Sequence, residues 1–281
     1  MRTIHVDLIT ENVKELCLKA NFDIGDSMLK VLEERLGDEI SPLGKTVLKQ
    51  MIDNDKLAKL EGIAICQDTG MTVVFIELGQ EVSLIGGDFN DSIHQGVRLA
   101  YKDGFLRKSV VDDPLFDRIN TKDNTPAVIH TTIVKGDQIK IEVMPKGFGS
   151  ENMSTLKMFP PSAGLSGVKK FILDTVEKAG PNACPPIIIG VGIGGTFEQA
   201  ALISKRALLR GVGQSNPHPK YAQLEIELIQ DINRLGIGPA GLGGSTTAIS
   251  VNIEHYPTHI ASIPVAINIC CHVSRHASAI I

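Results

Sequence analysis

Tryptophan is absent from this chain of 281 residues, and aromatic side chains make up only 4% of it. Any core must therefore be aliphatic, and with 43% hydrophobic residues there is material for one large domain or two modest ones. An excess of positive charge is also missing: 28 Lys and Arg stand against 32 Asp and Glu, a formal net charge of -4 at pH 7. Such a balance offers no basic surface to nucleic acid or anionic lipid, and neither is expected as a partner. Long apolar runs are lacking. The stretch Pro185 to Gly195, which carries no charged or hydroxyl side chain, spans eleven residues, well short of the roughly 20 that cross a bilayer. Residues 1-30 carry Asp7, Glu11, Glu15, Asp23 and Asp26 and no small-residue cleavage site after an apolar core. They do not read as a secretory signal, so a cytoplasmic location is expected. Cysteine is scarce and odd in number. Cys17, Cys66, Cys184, Cys270 and Cys271 are spread unlike the dense even sets of small secreted domains, which predicts reduced thiols or metal ligands.

What is present is a changing hydrophobic period. From Ile4 to about Gly62 apolar residues recur every three or four positions, so the first fifth is expected to be helical, with Asn12 and Asp26 as N-cap candidates and Gly37 and Gly62 as C-cap candidates. Val73-Val74-Phe75-Ile76 reads as a strand covered on both faces, followed by a helix over 88-101. Val128 to Val134 and Ile139 to Val143 are strands separated by Lys135-Gly136-Asp137-Gln138, a hairpin signal that predicts an antiparallel pair. Beyond them the pattern predicts helices at 165-178, 196-209 and 221-235, and strands at 186-191, 246-253 and 261-269. The fold class expected is mixed α/β: a helical N-terminal region, then mixed sheets flanked by helices. No repeat or low-complexity tract divides the chain, and 1-281 is taken as a single domain.

Chemistry concentrates where polar side chains meet glycine: Cys66-Gln67-Asp68-Thr69-Gly70, Lys146-Gly147-Phe148-Gly149-Ser150, Cys184-Pro185-Pro186, Gly241-Leu242-Gly243-Gly244-Ser245-Thr246-Thr247, and His259 to Arg275. In such loops backbone amides can reach a ligand directly. Gly190-Val191-Gly192-Ile193-Gly194-Gly195 meets the dinucleotide-binding pattern and raises an NAD-dependent oxidoreductase as a reading of a different class. The acid required about 20 residues later is missing, however, from Leu209-Arg210-Gly211-Val212-Gly213-Gln214, and close packing of strand on helix explains the glycines as well. Cys17 lies in an apolar helical stripe and reads as core. Cys66, Cys184 and Cys271 (or Cys270 in its place) sit at element ends, too far apart in sequence for a compact zinc site. Three such thiolates could hold three irons of a 4Fe-4S cluster and leave the fourth open to substrate oxygen.

These segments, together with Asn182-Ala183-Cys184-Pro185-Pro186, Arg234-Leu235-Gly236-Ile237-Gly238-Pro239 and Ser262-Ile263-Pro264-Val265-Ala266, resemble the iron-sulfur class I fumarate hydratases over nearly the whole chain. The likeness is closest to the alpha subunit of the two-subunit form, a family that includes L-tartrate dehydratase alpha subunits and whose N-terminal-domain fold is the one expected here. The resemblance implies Cys66, Cys184 and Cys271 as ligands of a 4Fe-4S cluster with one open iron, the last because it follows His259 by twelve residues. It implies Asp68 as the acid for the leaving hydroxyl, and Gln67, Arg107, Gly147, Gly149 and His259 as contacts to a small dicarboxylate. Arg98 competes with Arg107, and Lys146 and Arg275 are cations without an assigned role. The activity implied first is reversible hydration of fumarate to malate, with L(+)-tartrate or mesaconate as alternative substrates. In the family the carbon base belongs to the beta portion. The chain is therefore expected to need a beta subunit, to form an alpha-alpha dimer within a heterotetramer, and to be inactive alone.

Overall fold

A computed structural model describes residues 1-281 and shows a mixed α/β chain. In chain order the elements are β1 (Arg2–His5), α1 (Val6–Phe22), α2 (Asp26–Asp38), α3 (Pro42–Glu61), β2 (Met71–Gly79), β3 (Val82–Ile85), α4 (Phe89–Asp103), β4 (Val128–Val134) and β5 (Ile139–Lys146). Then follow α5 (Phe148–Glu151), β6 (Thr155–Phe159), α6 (Gly164–Ala179), β7 (Ile187–Gly194), α7 (Phe197–Ala207), α8 (Pro219–Asn233), β8 (Ala248–Tyr256), β9 (Ile263–Cys270) and β10 (Ala277–Ile280). None of the helices is long and apolar enough to cross a membrane. The chain folds into two compact units: Met1–Ile24 with Asp55–Phe148 and Arg275–Ile281, and Gly25–Asn54 with Gly149–Ser274.

In the first unit a four-stranded sheet runs β10-β5-β2-β4. Helices α1 and α4 pack together and supply Ile9, Val13, Cys17, Ile93, Val97 and Tyr101 to a core completed by Val74, Ile76, Ile139 and Ile141 from the sheet. Helix α1 starts where the His5 ring accepts the Asp7 N–H at 3.3 Å. Asn12 is thus an interior residue of that helix, not its cap; its amide donates to the Leu8 carbonyl at 2.8 Å.

The hairpin expected across Lys135 to Gln138 does not form. Strands β4 and β5 do not pair with each other; β2 lies between them, parallel to β4 and antiparallel to β5. A strand whose Val73, Val74, Phe75 and Ile76 are all buried needs a partner on each edge, and that demand outweighs the local turn signal. The end of β2 enters the gap itself: Gly79 N–H donates to Gln138, Gln80 N–H to Val134 and Glu81 N–H to Gly136.

The second unit is layered about the sheet β6-β9-β7-β8. Alternation along β7 decides which residue goes where. Ile187, Ile189 and Val191 enter a core with Val168, Ile172 and Val176 of α6 and Leu224, Leu228 and Ile232 of α8. Gly190 and Gly192 face the other way, where α7 lies so close that an added Cβ would stand 2.1 Å from the Ser204 and Ala200 carbonyls. Gly190 and Gly192 of the dinucleotide-like motif are thus consumed by strand-on-helix packing, while Gly194, with φ 97°, lies against the Tyr256 backbone of β8. Leu209 to Gln214 connects α7 to α8, and Arg210 there pairs with Glu225, whose carboxylate also accepts the Ile253 N–H at 2.6 Å.

Candidate active site

The loop from Ile65 to Gly70 joins α3 to β2 and is tied at nearly every residue. Ile65 N–H donates to the Asn21 carbonyl at 3.0 Å. Asp68 N–H donates to Cys66 Sγ at 3.4 Å. One Asp68 carboxyl oxygen accepts the Gly70 N–H at 3.0 Å in a local turn, and the other accepts the Phe148 N–H at 2.8 Å. Its carbonyl accepts from Arg275 Nη1 at 2.6 Å. Tyr101, buried in the core, donates its hydroxyl to the Thr69 carbonyl at 2.6 Å, and burial pushes that phenol well above its ordinary range, so it remains a donor. Gly70 has φ 76°, and a side chain there would strike the Lys146 backbone at 2.7 Å. Only glycine lets the loop lie against β5.

This loop brings several expected residues together. Gly147 follows β5, and a Cβ there would stand 3.2 Å from both Asp68 Oδ2 and Arg275 Nη2. The missing side chain leaves a cradle between a carboxylate and a guanidinium. Arg107 is exposed, and its carbonyl accepts the Thr69 hydroxyl at 2.9 Å, which fixes its backbone to the same loop. Arg98 is committed elsewhere, to Asp123 at 2.8 Å and Gln95 at 2.7 Å. Burial alone would raise Asp123, but hydrogen bonds from Arg98 and Thr125 hold its carboxyl near 2. Between the two arginines, Arg107 keeps its side chain available. Gln67 is exposed beside Asp68.

Gly149, Cys184, His259 and Cys271 belong to the second unit. Cys184 is exposed and left-handed, with φ 54° and ψ 63°, at the end of the short turn Gly180–Ala183; a non-glycine residue held there marks a constrained position. Cys271 follows β9 and is half-buried, whereas Cys270, the last residue of β9, is buried. His259 lies exposed in the loop after β8, its Nδ1 accepting the Ala261 N–H at 3.2 Å. All five cysteines are thiols, not disulfides. Cys17 is 0% exposed, and burial pushes its thiol up to about 12, which suits an inert core residue. The three remaining loop thiols have the soft-donor chemistry that iron-sulfur clusters require. Neither unit taken alone gathers three such donors, because Cys66 lies in the first unit and Cys184 and Cys271 in the second.

The structure gives a place to Arg275, a cation to which the sequence assigns no role, and to Glu39, which no motif marks. Arg275 is 3% exposed and reaches Asp68 from 207 residues away. Glu39, 1% exposed, accepts the N–H groups of Ser41, Ser245 and Thr246 at 2.9, 2.9 and 2.8 Å. Burial would raise its carboxyl, yet these donors hold it down to about 2. Glu39 thereby fastens the glycine-rich loop Gly241 to Thr247, and that loop rests on the segment bearing Cys184: Ala240 N–H donates to the Pro185 carbonyl at 2.7 Å, and Gly241 packs on Pro181. No sequence pattern marks an acid whose partners lie 206 residues distant.

Comparison with known proteins supplies what geometry alone does not. Residues 10–280 match the family model for fumarate hydratase (fumerase). The chain belongs to this family. A putative L(+)-tartrate dehydratase subunit alpha from Methanocaldococcus jannaschii is 40% identical over 275 residues, 96% of each chain. The L(+)-tartrate dehydratase subunit alpha of Escherichia coli O157:H7 is 34% identical over 280 residues, 98% of this chain and 91% of that one. The same subunit from Escherichia coli K12 matches to the same extent. The class I fumarase resemblance carried by the cysteine and glycine motifs is therefore correct at the level of the family, whose activity is that of a hydro-lyase.

Proposed function

We propose that this chain is the alpha subunit of a 4Fe-4S-dependent hydro-lyase acting on a hydroxylated dicarboxylate, with L(+)-tartrate as its substrate. The fumarate reaction that the motifs suggest first is the second reading, favoured by the description of the family model; the names of the most similar relatives favour tartrate. The observation that carries the proposal is the fixed carboxyl of Asp68, next to Cys66, within a chain matched to the family over residues 10–280.

Cys66, Cys184 and Cys271 would hold the cluster, which when bound supplies a Lewis acid for a substrate carboxylate and the departing hydroxyl. The chain's own residues do the rest. Expelling hydroxide from carbon is prohibitive unless a proton arrives with it, and Asp68 is the acid in position to deliver one. Its two anchors, Gly70 N–H and Phe148 N–H, fix the direction of that delivery. Arg107, Gln67 and His259 orient the substrate carboxylates by charge-assisted hydrogen bonds, and Gly147 and Gly149 let backbone amides approach them. Removing water from tartrate leaves an enol that tautomerises to oxaloacetate, so atoms balance with no oxidant.

The relatives' names, which specify a subunit alpha, support a second subunit; the resemblance to the class I fumarate hydratases implies that it supplies the carbon base, on a dimer of alpha chains. The five cysteines, none of them in a disulfide, support a cytoplasmic setting. The test is anaerobic co-expression with the partner subunit, assaying L(+)-tartrate, fumarate and mesaconate on the wild type and Asp68→Asn. The substitution should leave iron content unchanged and lower kcat by about 10²- to 10⁴-fold. Undiminished turnover in Asp68→Asn would remove Asp68 from the chemistry, and fumarate turnover well above that of tartrate would reverse the substrate order.

A further inference from the structure

Arg275 presents an unusual combination. It is 3% exposed, forms no ion pair, and its Nε lies buried without a hydrogen-bond partner. A buried charge without a counter-charge is costly to the fold, so it persists where the charge has a task. Its bonds say what that task is. Nη1 donates to two acceptors, the Asp68 carbonyl at 2.6 Å and Asn21 Oδ1 at 3.3 Å. Asn21, fully buried at the end of α1, is itself anchored by its amide to the Cys17 carbonyl at 2.9 Å, and its own carbonyl receives the Ile65 N–H at 3.0 Å. Helix α1 therefore grips the Cys66 loop twice, directly before the cysteine and through Arg275 after it. Nη2 faces the Gly147 cradle, where a Cβ would lie 3.2 Å from it and from Asp68 Oδ2.

We propose that Arg275 is a positioning residue. Its guanidinium clamps the Asp68 carbonyl to α1 and so holds both the Asp68 carboxyl and the N–H that Asp68 offers to Cys66 Sγ. This deepens the proposed function and rests on its assignment of Cys66 and Asp68. A lysine would keep the charge but lose the planar fork, and so should clamp less well.

The experiment begins with the metal-free full-length chain, because the clamp needs no cluster. Amide hydrogen exchange is compared in wild type, Arg275→Gln and Arg275→Lys, with thermal unfolding to verify that each folds. Arg275→Gln should speed exchange at Asp68, Gly70 and Phe148 by about 10- to 100-fold while amides of β5 stay protected; Arg275→Lys should fall between. In the reconstituted complex with the partner subunit, Arg275→Gln should keep its iron and lose about 10- to 100-fold in kcat with a smaller change in KM. Wild-type exchange at those three amides in a folded variant would overturn the clamp, as would general loss of protection across β5. If Arg275→Gln does not fold, the same comparison on Arg275→Lys decides. A wild-type chain that binds no iron would remove the cluster reading, yet the exchange result would still decide the role of Arg275.

Discussion

At the scale of the residue, surroundings separate the five cysteines. Cys17 and Cys270 are buried, and Cys66, Cys184 and Cys271 lie in or beside loops. Cys66→Ser, Cys184→Ser and Cys271→Ser should each abolish the broad visible absorption and most of the bound iron, whereas Cys17→Ser and Cys270→Ser should keep both; loss of iron in Cys270→Ser alone would exchange the adjacent pair. Most of these thiols were legible in the sequence because each sits in a short motif with its neighbours. Asp68 was legible for the same reason, since Gly70 and Cys66 are two residues away. The role of Arg275, and Glu39 altogether, were not, because what identifies them is a partner distant along the chain. Asp55 is another residue whose meaning appears only on folding. It is 3% exposed with neither carboxyl oxygen hydrogen-bonded, and burial pushes it up to about 7. A carboxyl raised in the folded state is neutral there at low pH, and its ionisation weakens the fold as pH rises from about 3.8 through 7. Asp55→Asn should therefore raise Tm at pH 8 more than at pH 5; an equal change at both would show that Asp55 does not titrate in this window.

At the scale of the element, hydrophobic period located the helices and strands but could not say which strands pair. The β4–β5 turn has hairpin chemistry, yet β2 is apolar on both faces and takes the place between them. Pairing is decided by the burial of all three strands together, which no window of a few residues contains. The glycines of β7 make the complementary point. The packing reading was available from sequence, and α7 at 2.1 Å from the absent Cβ positions bears it out. The glycine-rich loop held by Glu39 gives a prediction at this scale. Because the folded carboxyl lies near 2 against an ordinary 4.5, its contribution is complete above about pH 4.5 and is lost as pH falls toward 2. Glu39→Ala should leave three backbone donors without acceptors, lowering stability by about 3 kcal/mol at pH 7, with the difference from wild type shrinking below pH 4 in urea titrations. A difference independent of pH would mean that the carboxylate charge is not what holds the loop.

At the scale of the whole molecule, the chain passes between its two units at Ile24–Gly25, Asn54–Asp55, Phe148–Gly149 and Ser274–Arg275. The last two crossings fall in segments that sequence reading had already chosen for their chemistry. The fold class and the family were both legible in the sequence, since motifs distributed from Cys66 to Cys271 span most of the chain. The substrate was not, because tartrate and malate differ by one hydroxyl and the contacts that distinguish them need not form a motif. The measurement that bears most directly on the account is iron and acid-labile sulfide on the anaerobically purified complex with the partner subunit, read beside L(+)-tartrate turnover. The account predicts about four irons and four sulfides per alpha chain, with turnover lost on chelation and restored by iron and sulfide. A complex that dehydrates tartrate at full rate without iron would contradict it.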